Sequence, residues 1–197
     1  MNNKLIFRAS TSNAKLAAQL MHDGEVIIYP TDTLFSFGVD ASNDEAIDTL
    51  NKIKMRLNPL SILLKDVSDI DKYAKLKRIE KKKLNKIFPG PFTALLPSKN
   101  NEEISKFVQC NSPLIGIRII NHKFCNKILS IIKKPIITTS VNIHGDSAMV
   151  DMSEIVSKFK NIHLFYNENK LISKGSTIID FSNIPEKIIR QGQGIYR

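Results

Sequence analysis

Three short stretches, far apart in the chain, carry residue types suited to an anionic substrate: Pro30-Thr31-Asp32-Thr33, Lys54-Met55-Arg56 and Thr138-Thr139-Ser140-Val141-Asn142. Each places hydroxyls, amides or fixed positive charge where an apolar segment stops, which is where an open α/β sheet presents groups to a ligand. Pro30 has no N–H to donate to a further ladder bond, so the chain must turn there, leaving Thr31 and Thr33 at a strand end. The plain alternative is a turn held by its own side chains. Lys54 and Arg56 are two apart, which on a regular helix sends them to different sides, but a helix that ends near Lys54 lets them converge. A helix C-terminus also attracts cations through its dipole, and spacing alone does not separate that role from stabilising phosphate charge during phosphoryl or nucleotidyl transfer. Thr138 to Asn142 follow the apolar Ile136-Ile137 and precede Gly145, a run of small polar groups that lets a ligand approach backbone and hydroxyls closely, or that N-caps a following turn. Ser176 begins another apolar run, and Arg190 closes the next, ahead of Gln191-Gly192-Gln193-Gly194; that arginine is a surface charge or a phosphate clamp.

The elements that position these groups follow from periodicity. Helices are expected over 11–23, 68–74, 78–87, 121–132 and 152–159. Another starts at Ser42-Asn43-Asp44-Glu45, a capping-box pattern, with Ala46, Ile47, Leu50, Ile53 and Lys54 at helical spacing behind it. Strands are expected over 26–29, 61–64, 93–96, 114–119, 136–139, 163–166, 177–180 and 187–190. Phe35, Phe37 and Val39 read as core. Helices and strands mixed without strict alternation indicate an α/β protein, a twisted mixed sheet with flanking helices. Residues 98–112, rich in Asn, Ser and charge, read as the loosest internal stretch.

With 197 residues, 42% hydrophobic and 24% charged, the chain is expected to form a single domain spanning 1–197. It has neither an apolar run of membrane-spanning length nor a signal-peptide core at its start, so a cytoplasmic protein with no membrane partner is expected. Cys110 and Cys125 lack the paired spacing of a zinc or redox site and read as reduced packing residues. The net charge of +10, from 29 Lys and Arg against 19 Asp and Glu, concentrates nucleotides, RNA or other polyanions. Much of the excess lies between Lys72 and Lys86, where a solvated helix face is preferred to an RNA groove because no aromatic residues interleave.

Taken in order, several motifs resemble the YrdC family, which comprises the threonylcarbamoyl-AMP synthases. They are Pro30-Thr31-Asp32-Thr33 with Gly38 and Asp40, Lys54-x-Arg56 with Pro59-Leu60, Phe88-Pro89-Gly90-Pro91-Phe92-Thr93 and Gly116-Ile117-Arg118. Thr139-Ser140-Val141-Asn142 with Gly145, Ser176-Thr177-Ile178-Ile179-Asp180 and Ile189-Arg190-Gln191-Gly192 complete the set. The resemblance spans about residues 12 to 194, and ordered motifs are far more specific than any one alone.

The resemblance implies a YrdC-like twisted sheet around a positively charged cavity. It implies a nucleotidyltransferase reaction in which L-threonine, bicarbonate and ATP give threonylcarbamoyl-adenylate and pyrophosphate, for the threonylcarbamoyl modification of tRNA adenosine 37. By motif, Lys54 and Arg56 correspond to a catalytic, phosphate-facing pair, expected to be exposed to the cavity rather than packed. Thr33, Arg118, Thr138 and Ser176 correspond to threonine-binding positions, with Arg118 suited to the carboxylate. Lys54, Asn58, Ser140, Asn142 and Arg190 correspond to ATP-binding positions. Mg2+ accompanies ATP, held by phosphates and water, with no protein metal ligand assigned. Expected partners beyond the substrates are tRNA and the threonylcarbamoyl-transferase proteins.

Three departures from the family pattern stand out: Phe35-Ser36 where Tyr-Gly is usual, a loop about two residues shorter between Arg56 and Pro59, and Val141 in place of alanine. The competing readings are an RNA-binding or substrate-shifted YrdC-like paralogue, and a carbamoyl-transfer relative, whose added zinc modules the missing CxxC pairs argue against.

Overall fold

The computed structural model describes residues 5–167 and 173–197. The strands are β1 (Ile6–Arg8), β2 (Ile27–Pro30), β3 (Phe35–Gly38), β4 (Ser61–Leu63), β5 (Phe92–Pro97), β6 (Leu114–Arg118), β7 (Ile136–Ser140), β8 (His163–Tyr166), β9 (Thr177–Asp180) and β10 (Lys187–Arg190). Six helices are interspersed: α1 (Ala14–His22), α2 (Asp44–Lys54), α3 (Ile70–Tyr73), α4 (Arg78–Ile87), α5 (Lys123–Ile132) and α6 (Met152–Lys158).

All these strands join one ten-stranded mixed sheet in the order β1-β8-β2-β3-β7-β4-β6-β5-β9-β10. Its central strands are buried on both faces, so neighbouring residues of one strand feed different cores. Ile27 and Tyr29 of β2 pack with α1 and α5 through Met21, Phe124 and Ile128. Ile28, between them, joins the larger core with Phe37, Ile47, Leu50, Ile62, Ile117 and Ile137. Each such buried side chain contributes about 1.5–3 kcal/mol relative to exposure. Cys125 is a buried free thiol on α5, and its apolar surroundings push its pKa up, which fits a packing role. Among the described residues no helix is long and apolar enough to cross a membrane.

The sequence-expected helix 78–87 and strands 163–166, 177–180 and 187–190 appear at those boundaries. Other expectations are corrected. The cap of α2 is Asn43, whose Oδ1 accepts from Ala46 N, because Ser42 is already committed: its N–H and hydroxyl both donate to Asp40 Oδ1. Residues 98–112 are not loose. Val108 and Ile104 are buried in the larger core, Ser105 N donates to Ala41 O, and Leu60 N donates to Val108 O. On α4 the apolar Ile79 is exposed, while Glu80 is buried, accepting from Lys77 N at 2.7 Å. The basic stretch is partly neutralised, with Lys81 paired to Asp71, Lys72 to Asp69 and Lys83 to Glu186.

The C-terminal run closes the sheet over the site. Thr177 Oγ1 donates to Gly194 O at 2.6 Å and accepts from Gly192 N at 3.0 Å. A Cβ at Gly192 would lie 2.4 Å from Gly175 O and 2.5 Å from Ser176 backbone atoms, so the close approach requires glycine.

Candidate functional site

A cavity of about 670 Å³ opens where β3, β4, β6, β7 and β9 present their ends. Among the described residues, Arg56, Arg118, Lys174 and Arg190 line it with one carboxylate, that of Asp146, and Thr33, Ser36, Ser61, Thr93, Thr138, Thr139, Ser140 and Ser176 add hydroxyls. A smaller depression of about 240 Å³, bordered by Lys65, Lys72, Lys133 and Lys134, lies apart from these groups.

The first wall is built by the turn after β2. Thr31 Oγ1 donates to Leu34 O at 2.7 Å and accepts from Thr33 N and Leu34 N, so this hydroxyl serves the turn itself. The turn projects Thr33 into the cavity and Asp32 behind it. Arg118, at the end of β6, donates from Nη2 to Asp32 Oδ1 at 2.6 Å and to Thr33 Oγ1 at 3.1 Å. Burial pushes the Asp32 carboxyl upward, and the Arg118 guanidinium opposes that shift.

The second wall comes from the end of α2. Met55 takes the left-handed conformation at φ 53°, which stops the helix and turns Arg56 back toward β7, where its Nη2 lies 3.4 Å from Thr139 Oγ1. Lys54 and Arg56 do converge on the same strand, but not with equal access. Lys54 is 0% exposed and does not line the cavity. Its Nζ donates to Ser140 O at 2.6 Å, Asn142 O at 3.1 Å and Asn142 Oδ1 at 2.9 Å. An ammonium has three donors, and all three are taken. The expectation that Lys54 faces the cavity is therefore corrected: it continues the buried stripe of Ile47, Leu50 and Asn51, and its charge ends among backbone carbonyls.

Asn142 is equally committed. Its Oδ1 also accepts from Ser140 Oγ, while its Nδ2 donates to Ile143 O and Asp146 O. Lys54, Ser140 and Asn142 thus form a latch that sets the turn after β7, and Ser140 and Asn142 border the cavity through it. Val141 points away from the cavity, fully buried in the larger core. Ser36 faces Ser140 across the β3–β7 ladder and lines the site.

Burial, with a smaller push from Arg56, drives the Lys54 ammonium down to about 7. The unfolded chain keeps this group protonated up to its ordinary value of 10.5. Between those values the unfolded state binds more protons, so stability from this group rises with pH. Wild-type protein is expected to gain thermal stability from pH 7 to about 9.5 relative to Lys54→Met, a comparison in which other groups cancel. Parallel pH profiles for the two proteins would remove the assignment.

The third wall joins β5, β9 and β10. Ser176 Oγ lies 2.8 Å from Thr93 Oγ1, and Arg190 donates through Nε and Nη2 to Ser176 O at 3.2 and 2.8 Å. Of the residues expected from sequence, Thr33, Arg56, Arg118, Thr138, Ser140, Asn142, Ser176 and Arg190 meet at this one cavity. Asn58 does not. It is exposed on the loop before Pro59 and lies outside the lining, because the short connection carries it outward. Sequence reasoning missed Ser61, the first residue of β4, and Asp146 and Lys174, which sit in connections with no pattern to mark them. Thr93 had a signal, as the end of the Phe88 to Thr93 motif.

Comparisons with known proteins agree with this architecture. The Sua5/YciO/YrdC family model, described as telomere recombination, matches residues 19–192. A threonylcarbamoyl-AMP synthase of Wigglesworthia glossinidia brevipalpis is 33% identical over 178 residues, covering 87% of this chain and 90% of that protein. The structure of E. coli YciO superposes with a TM-score of 0.87 at 20% identity, over 96% of both chains. A P. abyssi Sua5 structure complexed with L-threonine superposes with a TM-score of 0.83 at 22% identity, covering 95% of this chain and 56% of that one. On the family match and the shared fold, this chain is a member of the Sua5/YciO/YrdC family.

Proposed function

We propose that the cavity forms threonylcarbamoyl-AMP and pyrophosphate from L-threonine, bicarbonate and ATP. The observation that carries this reading is the convergence of three guanidiniums, from the α2 end, β6 and β10, on one hydroxyl-lined cavity. Its volume lies within the range of small-molecule sites. Such a lining suits a substrate set with one carboxylate, one hydroxyl and a polyphosphate.

The chemistry needs no protein nucleophile. The threonine amine captures carbon dioxide, a carbamate oxygen attacks the α-phosphorus, and pyrophosphate departs. The protein's task is to hold the reactants in line and to stabilise phosphate charge. Arg118, with Thr33, Thr138 and Ser176, is assigned to threonine, and Arg56 and Arg190 to the nucleotide. Lys54 is assigned to holding the Ser140–Asn142 edge rather than touching phosphate. Magnesium arrives with ATP. Phosphate oxygens and water are read as its ligands. The product would serve tRNA modification at adenosine 37 through a transferase partner, and the net charge of +10 suits contact with tRNA.

The test is pyrophosphate release from Mg-ATP and bicarbonate with L-threonine, L-serine, D-threonine or no amino acid. Release that depends on L-threonine is expected; none from folded protein would point to a substrate-shifted or RNA-binding paralogue. Arg56→Ala is expected to lower kcat by about 100-fold or more with an unchanged melting curve, because among the described residues the Arg56 side chain makes one hydrogen bond, a long one to Thr139. A wild-type rate in this variant would withdraw its role.

A further inference from the structure

We infer that Asp32 is a positioning residue for amino-acid recognition, holding Arg118 so that its guanidinium meets the carboxylate of the amino acid rather than the phosphates of the nucleotide. This inference rests on the threonine reading above.

Asp32 and Arg118 are the most enclosed ion pair among the described residues, with side chains 16% and 7% exposed and the two atoms 2.6 Å apart. Arg118 lines the cavity and Asp32 does not, so the carboxylate supports the guanidinium from behind. The support is one-sided. The protein hydrogen bonds of the guanidinium run through Nη2, to Asp32 and Thr33, while Nε is buried without a hydrogen-bond partner. Nε is enclosed, so the donors that this guanidinium offers to the cavity are those of Nη1, and a charge-assisted hydrogen bond to a carboxylate oxygen suits them.

The charge of Asp32 matters as much as its position. Arg56, Arg118 and Arg190 share one cavity, where burial first and then the charge of Arg118 push the Arg190 pKa down. An unpaired Arg118 would be drawn to the most negative ligand present, a polyphosphate. Asp32 neutralises this one guanidinium and fixes it against the rigid turn of Thr31 to Leu34. It leaves Nη1 to a singly charged carboxylate.

The experiment is calorimetric binding of L-threonine and of Mg-ATP, each alone, to wild type, D32A, D32N, R118A and D32A/R118A. In D32A, L-threonine is expected to bind about tenfold or more weakly while Mg-ATP stays within about twofold or tightens. In the Arg118→Ala background, Asp32→Ala is expected to add nothing further for threonine. D32N keeps an acceptor of the same shape without the charge and carries the test if D32A does not fold; a threonine loss of about threefold or more is expected. Unchanged threonine binding in folded D32N or D32A, or equal loss for both ligands, overturns the inference. Wild-type protein that takes up no L-threonine overturns the threonine reading, and the inference with it.

Discussion

Lys54→Met is expected to unfold roughly 5–10 °C below wild type and to form adenylate at least about 100-fold more slowly. Methionine matches the length and apolar body of lysine, so it leaves no large void in the stripe continued from Ile47 and Leu50. What it removes is the ammonium that Ser140 O, Asn142 O and Asn142 Oδ1 all address. Two backbone carbonyls then lose their donor at a fully enclosed position, a loss of about 2–4 kcal/mol. The turn after β7 loses its latch, and Ser140 drifts from the nucleotide. Melting curves and pyrophosphate release measured on one preparation separate this outcome from the alternative. Normal stability with abolished activity would show that Lys54 acts on substrate directly.

Arg118→Ala is expected to raise the KM for L-threonine by about 10- to 100-fold, the worth of a charge-assisted carboxylate contact. It also strands the Asp32 carboxylate, which keeps only a poorly solvated position behind the cavity wall. Breaking such a pair costs about 3–5 kcal/mol of stability. The two losses should therefore travel together in R118A, unlike in Arg56→Ala, where activity falls and stability does not. An unchanged threonine dependence in Arg118→Ala would sink the carboxylate contact.

Much of the scaffold was legible from pattern because its elements are simple. Helix α4 is stopped by Pro89-Gly90, and strands β8, β9 and β10 are short apolar runs bounded by Asn, Ser, Gly or Pro. β3 was not legible as a strand. It is four residues long, buried on both faces and interrupted by Ser36, so Phe35 and Phe37 announce only that they are core. β1 is shorter still, three residues of which Ile6 and Phe7 are half-buried and Arg8 is exposed, and its pairing with β8 depends on a partner more than 150 positions away. The site was legible as a set of motifs but not as a geometry. Lys54 stood on the apolar stripe of its helix, a readable hint of burial, yet lysine is so seldom enclosed that composition argues the other way. Nothing in the spacing of Asp32 and Arg118 reveals that they touch. That contact depends on β6 returning beside β4, a fact of topology alone.

The strand order also governs how the molecule comes into being. Only β2–β3, β5–β6 and β9–β10 pair strands that follow one another in the chain; the remaining ladders join distant segments. Large loops must close before those contacts return any energy, which makes for slow, late-committing folding. The cavity draws on residues from Thr33 to Arg190, so its walls cannot meet before the segment carrying Arg190 has been made. A nascent chain that has not yet released β9 from the ribosome lacks Ser176 and Arg190. Ligand capture during synthesis must therefore wait until β10 has emerged.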